Sequence, residues 1–454
     1  MKRQVLSGWR SGPARRCRSA LVGGLIMLLS ACGGGGGGGF GGSEGSPGLG
    51  GGGAGDREGQ NATPILTATS YVASEQSDAE RFDACTHDPA VAVGTGDTGR
   101  LAAGLSVHAV EANQGVGIAL ASKGNLLTDA AARPAPLITD RPLKLRAQWK
   151  LKAGFAPRDI EGRLVIRNGT SEYVFRQTRR VEGTSNWTAN FFSWTVPRCL
   201  VRAETAWAIG FYDLTTSGQA GTGRLPATGV TPLAPWSDKM ELNVVFVPIN
   251  ATRGVGGQTC VSYLGQEASH NTDFSNTQIQ QDLKAYLMSI LPVQNVNMVM
   301  KPPMDVSWGD ACDSDWPTFT ALRTLRAQEA KGDNWYYQGL VPFDPGWSGY
   351  AALADDSRQA DRTSWAEAWD YLPILSAHEL IHNNGLSHRD GNITAWGWGP
   401  YDGPYPWAGR PSLGTLKDPA SYRDIMNAGA SGTMWIDVGA YKSVAQRVRT
   451  LSSW

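Results

Sequence analysis

One short segment restricts the fold of this chain more than any other: residues 375–388, LSAHELIHNNGLSH. Three of the chain's six histidines, His378, His382 and His388, fall within eleven positions there. On an α-helix, residues four apart share one face, so the first two imidazoles project together. Gly385 supplies the left-handed residue that ends a helix. The chain then doubles back, and His388 can join the pair. Three imidazoles make a donor set for one Zn2+ with a fourth position open, the arrangement of a reactive centre rather than a structural one. Glu379 follows the first histidine too closely to bind in the same way, and is placed as a base for a water on that metal. Three surface histidines at a helix end would leave the extended spacing unexplained.

The N-terminus reads as an address. Residues 1–19 carry Lys2, Arg3, Arg10, Arg15, Arg16 and Arg18, and a short apolar stretch then ends in Leu29-Ser30-Ala31-Cys32. Basic, apolar and small residues in that order form a secretory signal. The cysteine after small residues resembles a bacterial lipobox, which implies a signal peptide over 1–31 and lipidation at Cys32. Residues 33–60 hold 17 of the 56 glycines. Such a segment has nothing to bury and reads as a flexible tether, with an r.m.s. reach of roughly 30 Å. Gly33, where an Asp would suggest inner-membrane retention, favours the outer membrane or cell surface. With 41 basic and 41 acidic residues the net charge is zero, so bulk charge gives no case for nucleic acid as a partner.

The remaining 394 residues, 61–454, are too many for one ordinary core. Residues 61–220 make the first domain, and within it 100–215 read as strands. Leu143, Leu145, Ala147, Trp149 and Leu151 alternate with polar residues, and Asn168-Gly169 marks a tight hairpin. Repeated short strands point to an immunoglobulin-like β-sandwich. Residues 221–235, rich in Thr, Gly and Pro, read as a linker. Residues 236–454 alternate strands and helices: strands over 241–248, 296–300, 335–341 and 349–354, and helices over 277–291 and 318–330, before the histidine segment.

The pattern H-E-x-x-H-x-x-G-x-x-H resembles the signature of the metzincin zinc endopeptidases, in their secreted bacterial form. The resemblance covers about 240–454. It implies an α/β zincin-type catalytic domain, one catalytic Zn2+ held by His378, His382 and His388, and Glu379 as general base. The clan has a methionine turn beneath the metal. Asp424-Ile425-Met426-Asn427 fits it, which assigns Met426 to that turn. The strand over 349–354 is the matching cleft-rim strand, and the QGLVP stretch around Leu340 is similar to secreted members. Some members carry a tyrosine two residues after the turn methionine; here Ala428 stands there, with Tyr422 nearby. Arg389 and Asp390 follow the third histidine and match no common subfamily. Asp390 reads equally as a partner orienting a ligand histidine or as a surface carboxylate.

Other features are less specific. Cys85, Cys199, Cys260 and Cys312 suggest two disulfides in an exported chain, with Cys85–Cys199 and Cys260–Cys312 the favoured pairing. Asp310, Asp313 and Asp315 lack the spacing of a calcium loop and read as a solvated turn, with calcium the alternative. Trp396, Trp398, Tyr401, Tyr405 and Trp407 either line a pocket or pack a lower subdomain. The expected function is zinc-dependent hydrolysis of extracellular or periplasmic proteins, glycoproteins among them, by a lipid-anchored monomer. The competing expectation is an adhesin or binding module that uses the zinc domain only as a scaffold.

Overall fold

The computed structural model describes residues 99–453, apart from 215–220, 222, 256–257, 263–273, 308–315, 342–348, 355–357, 369–371, 402–414 and 429–432. The signal segment, Cys32, the tether, Cys85, Cys312, the aspartates at 310, 313 and 315, Tyr405 and Trp407 lie outside the described residues. No helix among the described residues is long and apolar enough to cross a membrane.

The first half forms β1 (Leu105–Asn113), β2 (Gly117–Ser122), β3 (Asn125–Leu126), β4 (Leu143–Leu151), β5 (Arg158–Asn168), β6 (Ser171–Val181), β7 (Phe192–Val196), β8 (Ala206–Asp213), β9 (Arg224–Leu225) and β10 (Thr231–Pro232). One sheet runs β3-β2-β1-β4-β7 and the other β10-β8-β5-β6, with β9 also on β8. Phe192 joins their inner faces. Its ring lies 4.9 Å from that of Phe211, and a Cβ on Gly162 would come within 2.5 Å of it. The β5–β6 hairpin pairs Asn168 with Ser171, so Gly169 and Thr170 are its central residues. Gly169 has φ +58 and Thr170 is not left-handed, the pattern of a II′ turn rather than the expected Asn-Gly type. The alternation in β4 holds for Leu143, Leu145, Ala147 and Trp149, but Arg146 on the opposite face is buried as well. Glu111 pairs with it at 2.7 Å, and the rings of Trp187, Phe191 and Trp396 lie about its guanidinium. Segment 221–235 is not a free connection: β9 and β10 within it both pair with β8.

The second half is built on β11 (Glu241–Val255), β12 (Gln258–Ser262), β13 (Asn295–Met300), β14 (Met304–Ser307), β15 (Trp335–Val341), β16 (Gly349–Ala351) and β17 (Thr363–Glu367). The sheet order is β12-β11-β15-β17-β16, with β13 and β14 also on β11. Strand β16 runs antiparallel to β17. Among the described residues, four helices join this sheet: α1 (Thr277–Ile290), α2 (Trp316–Glu329), α3 (Leu372–Asn383) and α4 (Val438–Ser452). Both faces of β11 are covered over 242–249, which explains the apolar run from Val244 to Ile249. Leu242, Val244 and Phe246 join a cluster with residues of α1, α3 and α4. Val245, Val247 and Ile249 join a second one with Phe319 and Leu322 of α2.

The first of these clusters continues into the N-terminal sheets. At the junction, the β1–β2 turn enters the second half. Gly115 has φ +134, and a Cβ there would lie 2.7 Å from the Tyr441 ring, so the approach needs glycine. Arg141, fully buried, donates to Gln114 O at 2.9 Å, Val293 O at 2.6 Å and Ser289 O at 2.9 Å. The last two oxygens lie at and just beyond the α1 C-terminus, where a cation is favoured. Arg141→Met keeps the apolar stem and leaves three carbonyls without these donors. It is expected to destabilise the protein by about 3 kcal/mol, read as a lower urea midpoint. An unchanged midpoint would remove this junction as a source of stability.

Candidate metal centre

All twelve residues of α3 are buried. A helix buried on every side needs its polar groups fixed from outside. Near its start, Ser376 donates to Gln338 Oε1, and Gln338 Nε2 returns a bond to Ser376 O at 3.2 Å and another to Ser364 Oγ at 3.1 Å. At its end, the Asn383 amide faces Ala352 O, Asp361 O and Thr363 O at 2.9, 3.1 and 3.0 Å. Those carbonyls flank the β16–β17 connection, so the helix is tied to the edge of the sheet. Gly385 then turns left-handed at φ +87, and its N–H caps His382 O at 2.8 Å. A Cβ there would sit 3.2 Å from Ala354 O. Gly385→Ala is expected to cost about 1 kcal/mol or more, measured by thermal unfolding of the metal-free protein; an unchanged midpoint would contradict this role for the turn.

The structure brings the three histidines together. One ring nitrogen from each lies within 4.8 Å of the others. His378 Nδ1 lies 2.6 Å from Ile425 O, and His382 Nδ1 lies 2.6 Å from Leu386 O. A carbonyl oxygen only accepts, so each Nδ1 carries the proton and each Nε2 presents its lone pair. His378 Nε2 and His388 Nε2 are 3.2 Å apart. Two nitrogens on a tetrahedral zinc with bonds of 2.0–2.1 Å lie about 3.3 Å apart. Burial pushes His378 well below the usual imidazole range, with His382 and His388 adding to the effect and the Ile425 carbonyl opposing it. Burial also lowers His382, to about 4, against the Leu386 carbonyl. His388 is lowered by burial and held up in part by Asp390. Neutral imidazoles with fixed Nδ1 protons are the form that binds a metal.

Glu379 is fully buried, and neither carboxylate oxygen has a hydrogen-bond partner among the described residues. Burial alone raises its pKa well above the ordinary carboxylate range. Such a group costs free energy unless something else in the site uses it. Gly349, on β16, lies against it: a Cβ there would fall 2.4 Å from Glu379 Oε1. The sequence marks this strand, but not its first residue as the wall beside the carboxylate. The strand is also shorter than expected and ends at Ala351.

Met426 is fully buried one residue beyond Ile425, whose carbonyl holds His378. Its own carbonyl accepts Arg389 N–H at 2.8 Å, next to His388. Asp424 Oδ1 accepts from the N–H groups of Met426 and Asp437 and closes the turn. Asp390 is exposed, and its charge favours the protonated form of His388. Tyr422 is half-buried, with the Lys417 ammonium 5.9 Å from its ring centre. Two short pairs frame this region: β18 (Gly397–Trp398) with β19 (Leu416–Lys417), and β20 (Arg423–Asp424) with β21 (Met434–Trp435). Trp396 and Trp398 pack toward the N-terminal sheets. Trp396 O accepts Gly117 N–H at 2.7 Å, and the ring of Trp398 lies 4.9 Å from the Lys144 ammonium. Cys199 is buried, but its expected partner Cys85 lies outside the described residues.

Neither a family model nor a curated protein matches this chain. Among solved structures, one described as "Structure of a chaperone-substrate complex" aligns over 58% of this chain and 39% of its own, at 14% identity and a TM-score of 0.25. A likeness of that size carries no argument about fold or function.

Proposed function

We propose that the chain is a single-zinc endopeptidase of the metzincin type, exported and lipid-anchored through Cys32, acting on extracellular or periplasmic proteins. The observation that carries this reading is the pairing of three converging imidazole nitrogens, from a buried helix and the turn after it, with a carboxylate that has no hydrogen-bond partner among the described residues. His378, His382 and His388 would hold the metal. When bound, zinc supplies a Lewis acid for the scissile carbonyl and lowers the pKa of water toward neutrality. Glu379 takes the proton of the attacking water on a carboxylate oxygen and returns it to the leaving amine. Ile425 O and Leu386 O hold the ring orientations of His378 and His382 through the reaction. The missing side chain of Gly349 leaves the carboxylate its room. A binding module using this half as a scaffold would gain nothing from Glu379 and would bear its desolvation cost.

The test is digestion of unfolded casein by residues 33–454, with zinc counted in the same sample. About one zinc per chain is expected. Chelation should stop cleavage, and added zinc should restore it. Zinc should also stabilise the fold by about 4 kcal/mol at a thousandfold excess over its dissociation constant. Cleavage that persists after the metal is removed would defeat the proposal.

A further inference from the structure

No residue of the N-terminal sheets lies near the histidines in sequence, yet those sheets are tied to one of them. We propose that the turn 113–117 is a working part of the metal centre, with Trp435 as the positioning residue that carries its hold to His378. The inference rests on the zinc reading above.

Three hydrogen bonds form the path. Trp435 Nε1–H donates to Gly115 O at 2.6 Å. Ile425 N–H donates to Trp435 O at 2.7 Å. His378 Nδ1–H donates to Ile425 O at 2.6 Å. Trp435 is 1% exposed, so bulk water does not replace a bond lost there. The indole is also clamped. A Cβ on Gly397 would lie 2.3 Å from it, and Gly397 itself forms a β-bridge with Val116 of the same turn. Gly115 O also accepts Trp398 N–H at 3.3 Å. One carbonyl of the first half therefore ties both the indole above the methionine turn and the loop that follows His388. The position of Ile425 O decides where the His378 ring points, and ring orientation sets how well its Nε2 meets a metal.

The experiment uses residues 33–454 and Trp435→Phe, which keeps a ring and removes the N–H. Zinc affinity is measured by chelator competition, and the d–d spectrum is recorded after loading with Co2+. Trp435→Phe is expected to weaken zinc by about tenfold and to shift the cobalt bands. Trp149→Phe is the comparison, because it removes another buried indole N–H, which donates to Gly183 O at 2.8 Å within the first half and away from the turn 113–117. It should lower the unfolding midpoint and leave affinity and spectrum unchanged. Should Trp435→Phe fail to fold, Asn113→Ala removes the side chain that accepts Gly115 N–H at 3.1 Å, loosens the same turn without adding an atom, and is read identically. A folded variant with the parent's zinc affinity and spectrum would overturn the inference while leaving the zinc reading intact. A parent that binds no metal would overturn both.

Discussion

Glu379→Gln is expected to abolish peptide cleavage, by about 10²-fold or more in kcat, while zinc stays bound. The amide is the same size as the carboxylate and so preserves the packing against Gly349. It cannot accept the proton of the attacking water. Substrate binding does not depend on that proton, so KM should change little and the loss should fall on kcat. The buried carboxylate has no partner among the described residues, so the neutral amide should not lower the unfolding midpoint. Steady-state kinetics on a quenched peptide, with metal content and thermal unfolding of the same preparation, separate these effects. Full activity in Glu379→Gln would remove Glu379 from the mechanism. Loss of zinc would show that it supports the metal instead.

Gly349→Ala carries the second large effect. The new methyl group would fall 2.4 Å from Glu379 Oε1, well inside van der Waals contact, so the carboxylate or the strand must move. A displacement near 1 Å in a catalytic group costs on the order of 10²-fold in rate. Zinc content should hold, because the ligands lie on α3 and the turn after it. The double variant with Glu379→Gln distinguishes this cause from general damage. Once the base is gone, moving it costs nothing more, so the two losses should not multiply. Multiplying losses would mean that Gly349 acts elsewhere.

The histidine segment was legible because its constraints are local. A four-residue spacing, a left-handed glycine and a returning histidine each depend on short-range geometry, and the structure brings His378, His382 and His388 together. Strand β15 was legible for the same reason, as a compact apolar run. Strand β17 was not. TSWAE is short and largely polar, and all five residues are buried because β15 and β16 flank it. Strand β11 runs past Pro248, where a sequence reading stops it. Proline is tolerated there because residues 247–248 fall between the stretches paired with β13 and β14. Segment 221–235 has the composition of a linker, yet tertiary pairing with β8 makes part of it strand. The contacts that hold the site from outside, from Gly349, Asn383, Trp435 and Gly115, join residues up to 320 positions apart. No local pattern announces them. Glycine at 115, 349 and 397 has meaning only once the neighbouring ring or carboxylate is in place.

X-ray absorption at the zinc edge, on residues 33–454 purified without added metal, addresses the centre itself. The expected result is about four nitrogen or oxygen neighbours at 2.0–2.1 Å with the scattering pattern of several imidazoles. A sulfur shell near 2.3 Å, or a preparation that holds no zinc, would contradict the assignment of His378, His382 and His388 as the ligands of a catalytic metal.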